Sequence, residues 1–167
     1  MTNNDNLKDM KTILKLILVS LTVFLFSASA FAANPKKYFE ALSTVGDFNY
    51  TYISPYMLKA MGGSHINSGG LSISSSDISL IETLSTYTSG TNNDLWDTIR
   101  KVKKDNDLET LSTKKEGYYR YDVLGKLSSN GKVLTHLLVI TQNGGNNVSV
   151  VYIVGKIPMD EISSQFN

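Results

Sequence analysis

"KVLTHLLVITQNGGNNVSVVYIVGKI", residues 132–157, decides the fold. Two β-branched runs flank "NGGNN", a turn rich in Asn and Gly, which is the signature of a β-hairpin. Within "THLLVI" and "VVYIV" successive residues are apolar, so both faces of each strand are buried. This hairpin therefore lies in the middle of a sheet. His136 stands inside it, written between Leu134 and Leu138. "LETLSTKKE" and "GYYRYDVLGKL" precede the hairpin, and "SSNG" supplies the turn into it. From about Leu108 onward the pattern is a meander. Pro158 and "MDEISSQF" close the chain as a short helix.

The first half reads differently. "NPKKYFEAL" has Asn34 as a cap, Pro35 in the first turn, and Tyr38, Phe39 and Leu42 on an apolar stripe, which predicts a helix. "FNYTYIS" alternates Phe48, Tyr50 and Tyr52 against Asn49, Thr51 and Ile53, which predicts a strand. Ser54-Pro55 then starts a helix: serine caps it and proline occupies a position whose N–H needs no partner. Ile53 and Leu58 fall at the positions of a hydrophobic staple, with Met57, Leu58 and Met61 on the buried side. Gly62-Gly63 ends this helix. "GGSHINSGGLSISSS" reads as a loop, and "ISLIETLSTYT" as a turn of helix running into a strand near Thr83 to Thr88. "DLWDTIRKVKKD" predicts a helix burying Leu95, Trp96, Ile99 and Val102. Helices in the first half and a meander in the second predict an α+β fold. The sheet is mostly antiparallel, with a C-terminal meander and two to four short helices packed against it.

Residues 1–32 read as a signal peptide. Lys8, Lys11 and Lys15 precede the apolar run Leu16 to Phe26, and Ala30-Phe31-Ala32 is a small-x-small junction. The run is short of the about 20 apolar residues that span a bilayer. Cleavage between Ala32 and Ala33 leaves a single α+β domain, 33–167. The chain has no cysteine, so it carries no disulfide, no thiolate metal site and no lipoprotein anchor. The expectation is an exported protein, periplasmic or extracellular, that meets the membrane only during export. Without the three lysines and two aspartates of the leader, the cationic and anionic side chains balance. That balance argues against nucleic acid as a partner. The one dense basic stretch, "RKVKKDND", fits the last turn of a helix.

Catalytic chemistry finds little foothold. His65 and His136 are the only histidines, and neither belongs to a nucleophile elbow or a zinc helix. Ser112 and Lys115 have Ser-x-x-Lys spacing, but on a strand they point to opposite faces. Asp105, Asp107, Glu109 and Glu116 match four positions of a calcium loop, with Thr110 where glycine is required. No catalytic residue, metal site or cofactor is expected. The tyrosines are the residues to watch. Tyr50, Tyr52 and Tyr56 sit around the strand-to-helix joint, Trp96 on the helix, and Tyr119 and Tyr121 share a strand face with Val123. These six are the candidate ligand or partner contacts, since tyrosine combines a packing body with a polar tip.

"FNYTYISPYMLKAM", an acidic helix-plus-strand middle and the ending "SVVYIVGKIPMDEIS" together resemble a domain-of-unknown-function family of small exported proteins from Gram-negative gut bacteria of the Bacteroides type. The resemblance covers residues 36–166. It implies export to the envelope and a compact α+β fold, and it brings no catalytic residue. It also implies that Asp97-Thr98-Ile99 is similar to an acceptor for O-glycosylation in such bacteria.

Three function classes remain in order. The first is a non-enzymatic module that binds another envelope protein or itself. The second is a carrier of a small apolar ligand, with a pocket between helices and sheet lined by Tyr50, Tyr52, Met57, Met61 and Trp96. The third is an enzyme using His136 or a carboxylate, which requires that His136 face a solvent-connected cleft with an Asp or Glu within hydrogen-bond reach.

Overall fold

A computed structural model describes residues 36–68, 71–74, 76–86, 92–144 and 147–163. The expected signal segment, residues 1–32, and its expected Ala32–Ala33 junction lie outside the described residues. The described chain starts with a 3-10 turn, Glu40–Thr44, and strand β1, Phe48–Ile53. Helix α1, Pro55–Ala60, follows, then the strands β2, His65–Ser68, and β3, Leu71–Ser74. Strand β4, Ile78–Thr86, precedes helix α2, Asn92–Asp105. The rest is β5, Glu109–Glu116; β6, Tyr119–Leu127; β7, Val133–Asn143; β8, Asn147–Pro158; and helix α3, Met159–Ser163.

Six strands form one sheet in the order β1-β4-β8-β7-β6-β5, and every pairing is antiparallel. A separate two-stranded sheet pairs β2 with β3. The architecture is therefore mostly β, and the α+β expectation is corrected. Two misread segments account for this. The helical turn expected at the start of "ISLIETLSTYT" is strand instead: Ile78–Thr86 is strand throughout, buried on both faces, while residues 87 and 88 lie outside the described residues. The Gly/Ser stretch holds a hairpin, in which Ile66 and Ile73 face each other and are buried. The first expected helix also shrinks to the 3-10 turn, with Leu42 as its buried residue.

Alternation along the central strands sorts the core into two layers. On one face Leu80, Leu84, Leu138, Val150 and Tyr152 pack against Leu95, Ile99 and Val102 of α2. On the other, Ile81, Leu137, Val139, Val151 and Ile153 pack against Leu58 of α1, Ile66 and Ile73 of the small hairpin, and Ile162 of α3. We call these the helix face and the hairpin face. The meander of β5 to β8 and the strand-to-helix joint follow the sequence reading. Ser54 Oγ accepts the Met57 N–H at 3.2 Å, and Ile53 and Leu58 join the same cluster. Met57, however, is exposed, because the short α1 presents only Leu58 and the half-buried Met61 to the core.

Helix α2 ends in a Schellman turn. Leu108 N–H reaches Lys103 O at 3.0 Å and Asp107 N–H reaches Lys104 O at 3.4 Å, with Asp107 at φ +50°. Asp105 and Asp107 spend their carboxylates on Lys36 at 2.9 Å and Lys126 at 3.4 Å rather than converging on a calcium loop. No helix among the described residues is long and apolar enough to cross a membrane.

Candidate functional site

The strand register builds a polar row across the whole hairpin face. Asn49 opposes Ser85, Ser85 opposes Ser149, Ser149 opposes Thr141, Thr141 opposes Tyr121, and Tyr121 opposes Lys114. Directly opposed residues of antiparallel strands project from the same face. One amide, three hydroxyls, a phenol and an ammonium thus stand side by side on six strands. The hairpin, α1 and α3 cover the neighbouring apolar residues of this face but leave the row accessible. One residue pair further on, Asn147 opposes Asn143, Asn143 opposes Tyr119, and Tyr119 opposes Glu116.

Two adjoining shallow depressions mark this ledge, and they share Thr141. One, of about 240 Å³, is lined by Lys114, Glu116, Tyr119, Arg120, Tyr121 and Thr141. The other, of about 250 Å³, includes Ser85, Asn143, Asn147 and Ser149. Tyr119 is 58% exposed, an aromatic ring left in solvent on a rigid strand. Tyr121 beside it is half-buried, and burial raises its phenol above the ordinary range. Charges of both signs stand at the ledge where Lys114 and Glu116 pair at 3.5 Å; the Arg120 Nε–Asp122 pair at 2.6 Å lies on the other face, where buried Asp122 opposes Ile140.

The helix face carries a different polar cluster. Glu82, fully buried, accepts the N–H groups of Tyr38 at 2.8 Å and Phe39 at 3.3 Å and the Tyr50 hydroxyl at 2.8 Å. Burial, reinforced by the Glu82 carboxylate, pushes the Tyr50 phenol far above its usual range. Tyr152 stands edge-on to Tyr38 at 5.6 Å and stacks on His136 at 6.2 Å. Lys37 lies 4.1 Å over the Tyr52 ring. This cluster closes the chain entry onto the sheet and has a structural character.

The six tyrosine and tryptophan candidates therefore separate. Tyr119 and Tyr121 come together on the ledge. Tyr50, Tyr52 and Trp96 pack against the helix-face core, and Tyr56 is 85% exposed on α1. Met61 belongs to the hairpin-face cluster, so the sheet stands between it and Tyr50 and Trp96. His136 is half-buried, with Nδ1 3.1 Å from Thr135 Oγ1, and among the described residues it bonds no carboxylate. Burial, with Lys126 adding to it, lowers its pKa below the ordinary value. A bulge between Leu134 and His136 sends Leu134 to the hairpin face, so the ring alternates only with Leu138. Among the described residues no group of three His, Asp or Glu stands close enough to hold a metal.

A family model described as "Domain of unknown function (DUF4252)" matches residues 31–165. The chain belongs to the DUF4252 family. Its match takes in both motifs that carry the resemblance, the strand-to-helix joint after β1 and the ending of β8 into α3. No curated protein and no solved structure matches this DUF4252 chain.

The sequence reading missed two features of this DUF4252 domain. Glu82 is an acid at a buried strand position, and its signal is an isolated carboxylate within "SLIETL". The cross-strand row has no linear signal, because its six members are assembled by register alone.

Proposed function

We propose that the protein is an exported, non-enzymatic interaction module that docks an envelope protein on the Tyr119 ledge. The observation that carries this reading is the ledge itself: Tyr119 exposed beside two shallow depressions, on a sheet face whose other half is packed. An exposed aromatic among hydroxyls, amides and paired charges matches the composition of protein interfaces. The antiparallel sheet holds these groups in fixed positions, so little ordering entropy is lost on binding. Export is supported by the leader pattern of residues 1–32, and origin in a Gram-negative gut bacterium by the resemblance of its two end motifs. The absence of a carboxylate partner for His136 among the described residues favours a binding role over catalysis.

The test is native mass spectrometry of the protein released gently from its producing cells. A discrete additional mass of protein size that differs from this chain's own, lost on denaturation, supports the proposal; an added mass equal to a second copy of this chain alone does not, and counts against it. A small non-protein mass overturns it in favour of a ligand carrier, and a bare monomer overturns it outright.

A further inference from the structure

The two edges of the large sheet are built differently. β5, at one edge, carries Glu109, Lys114, Lys115 and Glu116, and its register with β6 is broken by an irregularity between Thr110 and Ser112. Charges and bulges are the usual protection of an exposed edge against another strand. β1, at the other edge, reads Phe-Asn-Tyr-Thr-Tyr-Ile. It has no charged residue, proline or glycine, and all its residues pair with β4 in unbroken register. Such a segment has the composition that recruits further strands. Asn49 and Thr51 are exposed on it, and among the described residues no other strand pairs with its outer side.

We propose that β1 pairs with β1 of a second copy, antiparallel, about a two-fold axis perpendicular to the sheet. The occupant follows from the asymmetry of the edges. A β1-to-β5 contact between copies would extend indefinitely, and the charged, irregular β5 opposes it. A β1-to-β1 contact is self-complementary and closes at two copies, leaving only protected β5 edges outside. Opposed residues keep their face, so the aromatic side of β1 meets the aromatic side of its mate, and Asn49 and Thr51 meet Asn49 and Thr51. The two ledges then lie on the same side of one continuous sheet. This pairing uses the strand edge and does not depend on what docks at Tyr119.

The chain's lack of cysteine makes the test clean. Asn49→Cys, Thr51→Cys and Lys115→Cys are each introduced into the full chain, and the first two are also co-expressed. Copper-phenanthroline oxidation of the producing cells is read on a non-reducing gel. Opposed antiparallel residues have Cα atoms about 4.5–5.5 Å apart, within disulfide range. The expected result is a dimer band from Thr51→Cys, or from Asn49→Cys with Thr51→Cys, at least several-fold stronger than from Lys115→Cys. The combination that reacts gives the register. Trp96, the only tryptophan, reports by its fluorescence that each variant is folded. Bands from folded β1 variants no stronger than from Lys115→Cys overturn the proposal.

Discussion

Tyr50 and Glu82 sit on adjacent strands of the helix face, and the Tyr50 hydroxyl donates to the Glu82 carboxylate at 2.8 Å. The same carboxylate takes the backbone N–H groups of Tyr38 and Phe39, so one buried acid holds the chain entry, β1 and β4 together. Glu82→Ala strands three donors, and a buried donor without a partner costs about 1–3 kcal/mol. The expected loss is about 2–4 kcal/mol of unfolding free energy, non-additive across the three. Tyr50→Phe removes a single donor and costs about 1 kcal/mol. Denaturant titration followed by Trp96 fluorescence checks both.

Gly155 and Gly125 make a contrasting pair. A methyl on Gly155 would lie 2.7 Å from the Ile78 Cα, against backbone that is fixed where β4 and β8 change register. A methyl on Gly125 meets the flexible tips of Leu111 and the buried Leu134 at 2.8 and 2.9 Å and the His136 O at 3.3 Å, so side-chain ends rather than backbone must chiefly give way. Overpacking costs about 1–3 kcal/mol. Gly155→Ala is expected at or beyond the upper end and Gly125→Ala near the lower, as measured by thermal unfolding.

Asp107 closes α2 in a left-handed conformation. That conformation costs an L-residue about 1–2 kcal/mol, while glycine's freedom in the unfolded chain costs about 0.4–1 kcal/mol. Asp107→Gly is expected to stabilise the protein by roughly 0.5 kcal/mol, the difference between these terms. Its exposed ion pair with Lys126 offsets little of this. Equilibrium denaturation gives the sign directly.

His136 supplies a pH dependence. Its pKa lies below the ordinary value of about 6.5 in the folded state, chiefly through burial. The unfolded chain then binds the proton more readily, so stability is full above about pH 6.5 and falls as the pH drops toward the folded value. The half-buried Tyr50 and the buried Tyr152 act at the other extreme. Their phenols are raised by burial, so their contribution is full below about pH 10 and is lost as pH rises beyond it. His136→Gln is expected to flatten the acid limb of the stability profile and leave the alkaline limb unchanged.

These features also show what the amino-acid order makes legible. The Ser54-Pro55 joint, α2 and the strands from Glu109 onward were readable, because each has a local signal: a cap, a 3.6-residue stripe, an Asn/Gly turn. β4 was not, because burial on both faces removes the period of two, and Glu82 among its apolar neighbours mimics a helix. The β2–β3 hairpin was hidden because only Ile66 and Ile73 anchor it within serine and glycine. Those two misreadings moved the fold from mostly β to α+β. Of the candidate contacts, Tyr119 and Tyr121 were named from strand alternation. Lys114, Thr141, Ser149, Ser85 and Asn49 join Tyr121 through pairings between distant segments, which no short window of sequence records.

The central claim is that the Tyr119 ledge docks another protein. The most direct measurement places a photoreactive phenylalanine analogue at Tyr119 and, as a control, at the exposed Lys101 of α2, in the full chain in its producing cells. Irradiation at position 119 is predicted to give a discrete covalent adduct containing a second, different protein, absent from the Lys101 variant. No adduct at 119, an adduct containing only this chain, or the same pattern from both positions would contradict the claim.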